Sequence, residues 1–451
     1  MNSFIDSLQN KFLSIYLTIQ KNIDTIANYI LVVYAFFIPI TGTVVHDGFQ
    51  LLLILLLFKK DKLQTIKKVF THPIALAFFL YVIMNYLGVL VSDDQKWSQM
   101  YARYYKFFIY SGLIVAFAKH AYIERILASF LAGVVFSALI SYALILHLIE
   151  APFPFYNSLV ATASNPAPFM YHIEFGFLLA FSAILLLQML YQDRTKVQKL
   201  FIGFLFILIS ASIFLNISRT GYIIYILGII LFYFLHFRKR FFKLFPFLFI
   251  GLSSFIMMFY FSSSTFQQRS DRAFKDIEMM YFQDKYNTSL GYRILEIKQA
   301  YQLVLEKPLT GYGTARHVST MYEDAKDKKL FYARTIKNYS TTDNQYFDVL
   351  LQWGIFGLLI YLNIFYQGFR YKQEDKGLKE IQIILLTLYL LNGLQTYTML
   401  GQIPYTFFFI LTLTTIRKEK NSIQVPSLKV QHLVFYPILL ALAMLSEPYI
   451  L

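Results

Sequence analysis

The sequence predicts an all-α polytopic integral membrane protein, with about twelve transmembrane helices and one large polar segment outside the bilayer between spans nine and ten. Three observations carry that expectation. Of 451 residues, 57% are hydrophobic and only 15% charged, against about 25% charged in a soluble domain. Apolar runs approaching spanning length fill most of the chain. The loops between them alternate, basic against neutral or acidic. The net charge of +15 would suit a nucleic-acid binder, but the cations lie in short runs between apolar segments. No nucleic acid is therefore expected as a partner, and membrane lipid is.

Residues 1–27 read as an amphipathic cytoplasmic segment. Lys11 and Lys21 precede the first apolar run and no convincing small-residue site follows it, so no cleavable signal peptide is expected. Spans one to nine are expected at 28–43, 46–58, 74–91, 105–118, 127–148, 171–190, 200–216, 221–235 and 244–261. Residues 262–343 form the polar segment, and residues 344–416 hold three more spans, at 346–364, 381–396 and 403–416. The tail, 417–451, ends in an apolar stretch from 434 that is short and contains Pro437. It reads as an interfacial helix on the inner face rather than a thirteenth span.

Orientation follows from charge. KKDKLQTIKK (59–68), KHAYIER (119–125), YQDRTKVQK (191–199), HFRKRFFK (236–243), FRYKQEDKGLKE (369–380) and RKEK (417–420) are all basic, which places them in the cytoplasm. VSDDQ (91–95) and the loop at 151–168 are neutral or acidic. The 262–343 segment then faces the periplasm or cell exterior. The absence of cysteine rules out disulfides, cysteine-zinc sites and a cysteine nucleophile. The 47 Phe and 35 Tyr read as lipid-facing and interfacial aromatics.

Chemistry is most economically placed in the polar segment and at its edges. Arg219 sits where span seven turns into span eight. A guanidinium there is either an interfacial side chain reaching headgroups or a group with an anionic partner or task. Ser218, Thr220 and Gly221 make a tight turn around it, and Gly221 would let a ligand approach the backbone. Arg293 begins an amphipathic helix capped by Thr288 or Ser289, where an anionic ligand would also meet free amides. Pro308 ends that helix, and the following GYG is read as a structural turn. Asp343 opens the helix of span ten, either as its N-cap or as a general base, roles that can coexist. Gly354 and Gly357 would permit close helix contact. Further polar groups near lipid are His46 and Asp47, Arg103 and Lys106, and His172 and Glu174, the last two not on one helical face. No HExxH, DxD, P-loop or nucleophile-elbow pattern occurs, so no metal or cofactor is expected and ATP-driven transport is disfavoured.

SRTG (218–221), GYR with KPLTGYG (291–293 and 307–313) and DNQYFDVLLQWGIFG (343–357), in this order around one large loop, resemble the bacterial O-antigen ligase and polymerase superfamily. The resemblance implies a GT-C-like membrane glycosyltransferase of the bacterial inner membrane, its donor an undecaprenyl-diphosphate-linked glycan. The acceptor it implies is lipid A-core or a growing glycan. Arg219 and Arg293 would bind the diphosphate, and Asp343 would orient or deprotonate the acceptor hydroxyl. Asn344, His317, Arg103 and His172 are candidate accessory groups. The ligase branch is associated with histidine where this chain has Asp343, and polymerases tolerate aspartate there. The loop plan favours ligation and that one residue favours polymerisation. A transporter of lipid-linked glycan is a third reading, disfavoured because polar content is concentrated in one segment rather than in related halves.

Overall fold

The computed structural model describes residues 2–149, 161–332, 342–399 and 401–418, which fold almost wholly into helices. Among them no sheet occurs, only an isolated bridge between Thr162 and Asn165. Of the tail, all but Arg417 and Lys418 lies outside the described residues, the 434–451 stretch included. The helices are α1 (Asn2–Phe37), α2 (Gly42–Phe58), α3 (Lys62–Thr71), α4 (Pro73–Val91), α5 (Gln95–Tyr104), α6 (Tyr110–Phe117), α7 (His120–Ile145), α8 (His172–Leu190), α9 (Lys196–Leu215), α10 (Arg219–Phe237), α11 (Phe241–Ser262), α12 (Ser264–Gln283), α13 (Ser289–Glu306), α14 (His317–Asp327), α15 (Gln345–Arg370), α16 (Lys376–Gly393) and α17 (Gln402–Leu413).

Local chemistry sets their ends. Thr195 and Gln198 form a capping box that starts α9. Asp375 accepts the Leu378 N–H at 2.9 Å to start α16. Pro73 occupies the first position of α4, where its missing N–H costs nothing. In the middle of the bundle α8 is buried nearly all round, as an apolar helix without a polar face must be. It meets α10 at Gly176 and Gly221, where a Cβ on Gly221 would lie 2.9 Å from Gly176 Cα. Gly221 is therefore spent on helix packing, not on ligand approach. Part of the aromatic surplus packs inside the bundle. Tyr389 stacks on Phe407 with centroids 3.8 Å apart and Phe78 on Phe108 at 5.1 Å, both pairs fully buried. Exposed Phe is concentrated on α11, at Phe242, Phe247, Phe249 and Phe261.

The expected twelve spans are corrected to six. Among the described residues, α4, α7, α8, α9, the continuous run Arg219–Ser262 and α15 are long and apolar enough to cross a membrane. An apolar run allows one crossing by composition, but a run does not fix helix length. The run at 105–118 divides into a 3-10 turn, Tyr105–Ile109, and the eight-residue α6. The 46–58 and 403–416 runs lie in short apolar helices, below the ~20 residues a bilayer needs. Two further runs join into the 44 residues from Arg219 to Ser262. The GT-C-like assignment falls with the span count, because the described residues hold neither that many spans nor a sheet. What stands is a multi-pass, all-helical membrane protein.

The two ends of this bundle differ in charge. At one end the basic loops converge: Lys59 pairs with Asp24 at 2.9 Å, Lys119 with Asp24 at 3.6 Å and His236 with Glu380 at 3.2 Å, while Arg194 pairs with Glu124. The described part of the polar segment, 262–332 with 342–343, meets the bundle at the other end, where Thr314 reaches Gly88 of α4.

Candidate active site

The polar segment is fastened by a break in α15. Gly354 adopts φ +61° and ψ −157°, which interrupts the helical ladder. The Pro308–Gly313 strand of backbone takes up the freed groups. Tyr312 and Gly313 donate to the Leu351 and Gln352 carbonyls at 2.8 Å each, and the Ile355 N–H donates to the Pro308 carbonyl at 2.8 Å. The GYG turn is thus structural, as its sequence suggested, and the glycine that receives it is Gly354. Beyond it Thr314 reaches α4, its N–H on the Gly88 carbonyl at 3.0 Å and its hydroxyl on the Asn85 carbonyl at 2.7 Å. Trp353 Nε1 donates to the same hydroxyl at 2.8 Å. Gly88 is required there, since a Cβ would stand 2.3 Å from Thr314 Oγ1.

That anchorage brings α13 against the start of α15. Thr288, not Ser289, caps α13, accepting the Gly291 N–H at 3.1 Å. Arg293 lies beyond the first turn, and its Nε donates to Asp343 Oδ2 at 2.8 Å, the two side chains 29% and 32% exposed. Asp343 is not the cap of α15. Asn344 is, accepting the N–H groups of Tyr346 and Phe347 at 3.0 and 3.1 Å and donating to the Leu394 carbonyl at 3.2 Å. With capping assigned to Asn344, the partner of the Asp343 carboxylate among the described residues is Arg293. One turn along α13 from Arg293 is Glu296, 4% exposed. The Asp343 backbone N–H donates to its carboxyl, yet burial first, and then the Asp343 charge, push its pKa up to about 8. That shift favours the protonated, neutral form of Glu296 at pH 7. Sequence reading missed it, although its spacing of three from Arg293 puts both on one helix face.

Arg219 starts α10 behind its cap Ser218, which accepts the Gly221 N–H at 3.1 Å. Its Nη1 donates to Asp276 of α12 at 3.2 Å, so the anionic partner comes from the polar segment. Arg269, also on α12, has its basicity lowered by burial and then by Arg219 and Arg272. His172, at the start of α8, is within electrostatic reach of Arg269 and Arg293. Arg219, Arg269 and Arg293 therefore form one field of positive charge at the mouth of the bundle, with His172 beside it. Arg269 and Asp276 carried no distinguishing signal within a generally charged stretch.

Two accessory candidates fall elsewhere. His317 is 1% exposed and its Nε2 lies 3.2 Å from Asp348 Oδ1, itself fully buried. Asp348 also accepts from Gln352 at 2.7 Å and from the Thr342 hydroxyl at 3.3 Å. The imidazole thus braces the residue before Asp343 and does not enter the site. Arg103 is exposed on α5, with no hydrogen bond or ion pair to the site.

Such an arrangement can hold a polyanion against arginines and present a carboxylate to a neutral nucleophile. No group of three or more metal-ligating side chains occurs among the described residues. Residues 204–362, from within α9 to within α15, match the family model described as O-antigen ligase. That stretch holds Arg219, Arg293, Glu296 and Asp343. No curated protein matches the chain.

Proposed function

We propose, from the premise that this chain carries an O-antigen ligase domain, that it moves a glycan from undecaprenyl diphosphate to a sugar hydroxyl of lipid A-core. The family match supports the coarser statement, a membrane enzyme of the O-antigen ligase or polymerase type acting on undecaprenyl-linked glycans. The finer one rests on a single observation: Arg293 and Asp343 in contact, with Glu296 buried behind them. In this reading the site faces the periplasm, which the gathering of basic loops at the opposite end supports.

The donor diphosphate binds between Arg293 and Arg219, whose planar forks suit phosphoryl oxygens better than a lysine would. Only Nε of Arg293 is engaged by Asp343. As the diphosphate draws on the guanidinium, Asp343 loses part of its counter-charge and becomes a stronger base. The acceptor hydroxyl attacks the anomeric carbon, its proton passes to Asp343, and the bond from that carbon to the diphosphate oxygen breaks. Undecaprenyl diphosphate leaves with the bonding electrons, and the arginines stabilise the charge it gains. Direct displacement inverts the anomeric centre. Glu296 contributes by staying neutral, because an ionised Glu296 would compete with the diphosphate for Arg293.

Repeat-unit polymerisation is the second reading. Its support is that a carboxylate, not an imidazole, meets Arg293, while His317 is committed to Asp348. Purified protein is given a short undecaprenyl-diphosphate glycan with and without rough lipopolysaccharide. Core-linked glycan formed only when that acceptor is present is the expected outcome. Carrier-linked glycan lengthened by whole repeats in its absence would overturn ligation in favour of polymerisation.

A further inference from the structure

At the end of the bundle away from Arg293, the α3–α4 junction, the last turn of α15 and the segment after α17 line an open cavity of about 500 Å³. Its charge has one sign. Lys68, Arg370, Lys372 and Arg417 line it, and no carboxylate does among the described residues. Arg417 lies over the Tyr371 ring at 5.4 Å and Arg370 over Tyr366 at 5.8 Å. Aromatic faces hold these guanidiniums in place without cancelling their charge.

His72, the cap of α4, supplies a neutral donor. Its Nδ1 accepts the Ala75 N–H at 3.4 Å, so the proton of the neutral ring is on Nε2. Burial, then Lys68 and Arg417, push its pKa down to about 4, which keeps the ring neutral. That Nε2 is buried and meets no partner among the described residues, and a buried donor without an acceptor is costly. An acceptor oxygen entering the cavity would relieve it. Phe70, Leu76 and Phe369, each within three residues of the lining, are exposed, which gives apolar chains a surface beside the charged cavity.

We propose that this cavity binds the phosphoryl headgroup of an anionic phospholipid, with Arg370, Lys372 and Arg417 as counter-charges and His72 Nε2 as a hydrogen-bond donor. The exposed apolar flank favours a lipid over a free anion. The lack of a carboxylate among the described lining residues disfavours a zwitterionic headgroup, whose ammonium would meet cations there. Basic pockets beside transmembrane helices select such lipids through the same field that orients basic loops.

The test uses the full chain in detergent, titrated with phosphatidylglycerol, phosphatidylcholine or inorganic phosphate. Bound lipid is counted by native mass spectrometry and protection is read from thermal unfolding. Phosphatidylglycerol is expected to be retained about tenfold more tightly than phosphatidylcholine, and inorganic phosphate to protect little. The triple variant Arg370→Gln, Lys372→Gln, Arg417→Gln should lose that preference. Lys196→Gln, Lys199→Gln, Lys243→Gln, which removes three exposed cations elsewhere on the same end, should keep it. Should the first triple fail to fold, Arg417→Gln alone, outside any helix, must still weaken retention. Equal retention of the two lipids, or an unchanged preference in the cavity variants, overturns the proposal. Protection by inorganic phosphate equal to that by phosphatidylglycerol overturns the lipid assignment in favour of a free anion.

Discussion

At Glu296 the cost of ionisation is set by burial before it is set by neighbours, and this fixes a sign for pH dependence. Unfolded, a glutamate ionises near 4.5, whereas in the fold Glu296 does so only near 8. Between those values the folded chain keeps a proton that the unfolded chain has released. Stability therefore falls as pH rises through that window, and the loss is complete above about 8. Glu296→Gln removes the titration, so its thermal midpoint should rise relative to the parent at about pH 8.5 and not at about pH 4.5. Donor KM should climb in the parent as pH passes about 8 and stay level in the variant. A midpoint difference that does not change with pH would refute the buried-acid account. Arg293 and Asp343 were legible in the sequence because short motifs announce them. Their partner was not, because nothing in a residue's name says that three positions along a helix it will face a carboxylate brought from fifty residues away.

The turn PLTGYG and the helix α15 are one device. The sequence gives GYG as a turn and Gly354 as a helix-packing residue. The fold needs Gly354 because its positive φ opens the ladder into which Pro308, Tyr312 and Gly313 are hydrogen-bonded. A Cβ at that position would stand 2.3 Å from the Leu309 carbonyl. Gly354→Ala is therefore expected to cost more than about 1 kcal/mol and to loosen the seat of α13 on α15. Hydrogen exchange followed by mass spectrometry should show faster exchange at Tyr312 and Gly313, with transfer lost alongside. Gly251→Ala in α11 is the comparison, since a Cβ there meets nothing within 4 Å and φ is not positive. Unchanged exchange in the Gly354 variant would mean that the loop holds its place without the break.

Over the whole molecule, charge was legible where length was not. A hydropathy run records where lipid or core would tolerate the chain, and both tolerate the same residues. A short buried helix such as α17 and a crossing helix such as α9 thus read alike until packing separates them. Charge has no such ambiguity, because an unpaired cation is costly in either setting. The basic loops accordingly gather at one end, joined by pairs such as His236 with Glu380, although the number of spans between them was overcounted. If the positive-inside tendency sets the orientation, that end is cytoplasmic and the Arg293 site is not. The absence of cysteine makes this testable without background. Ser270→Cys in α12 should react with a membrane-impermeant maleimide in intact spheroplasts, and Lys239→Cys in the basic turn after α10 only after permeabilisation. The reverse pattern would put Arg293 and Asp343 on the cytoplasmic face, where a periplasmic lipid A-core acceptor could not reach them.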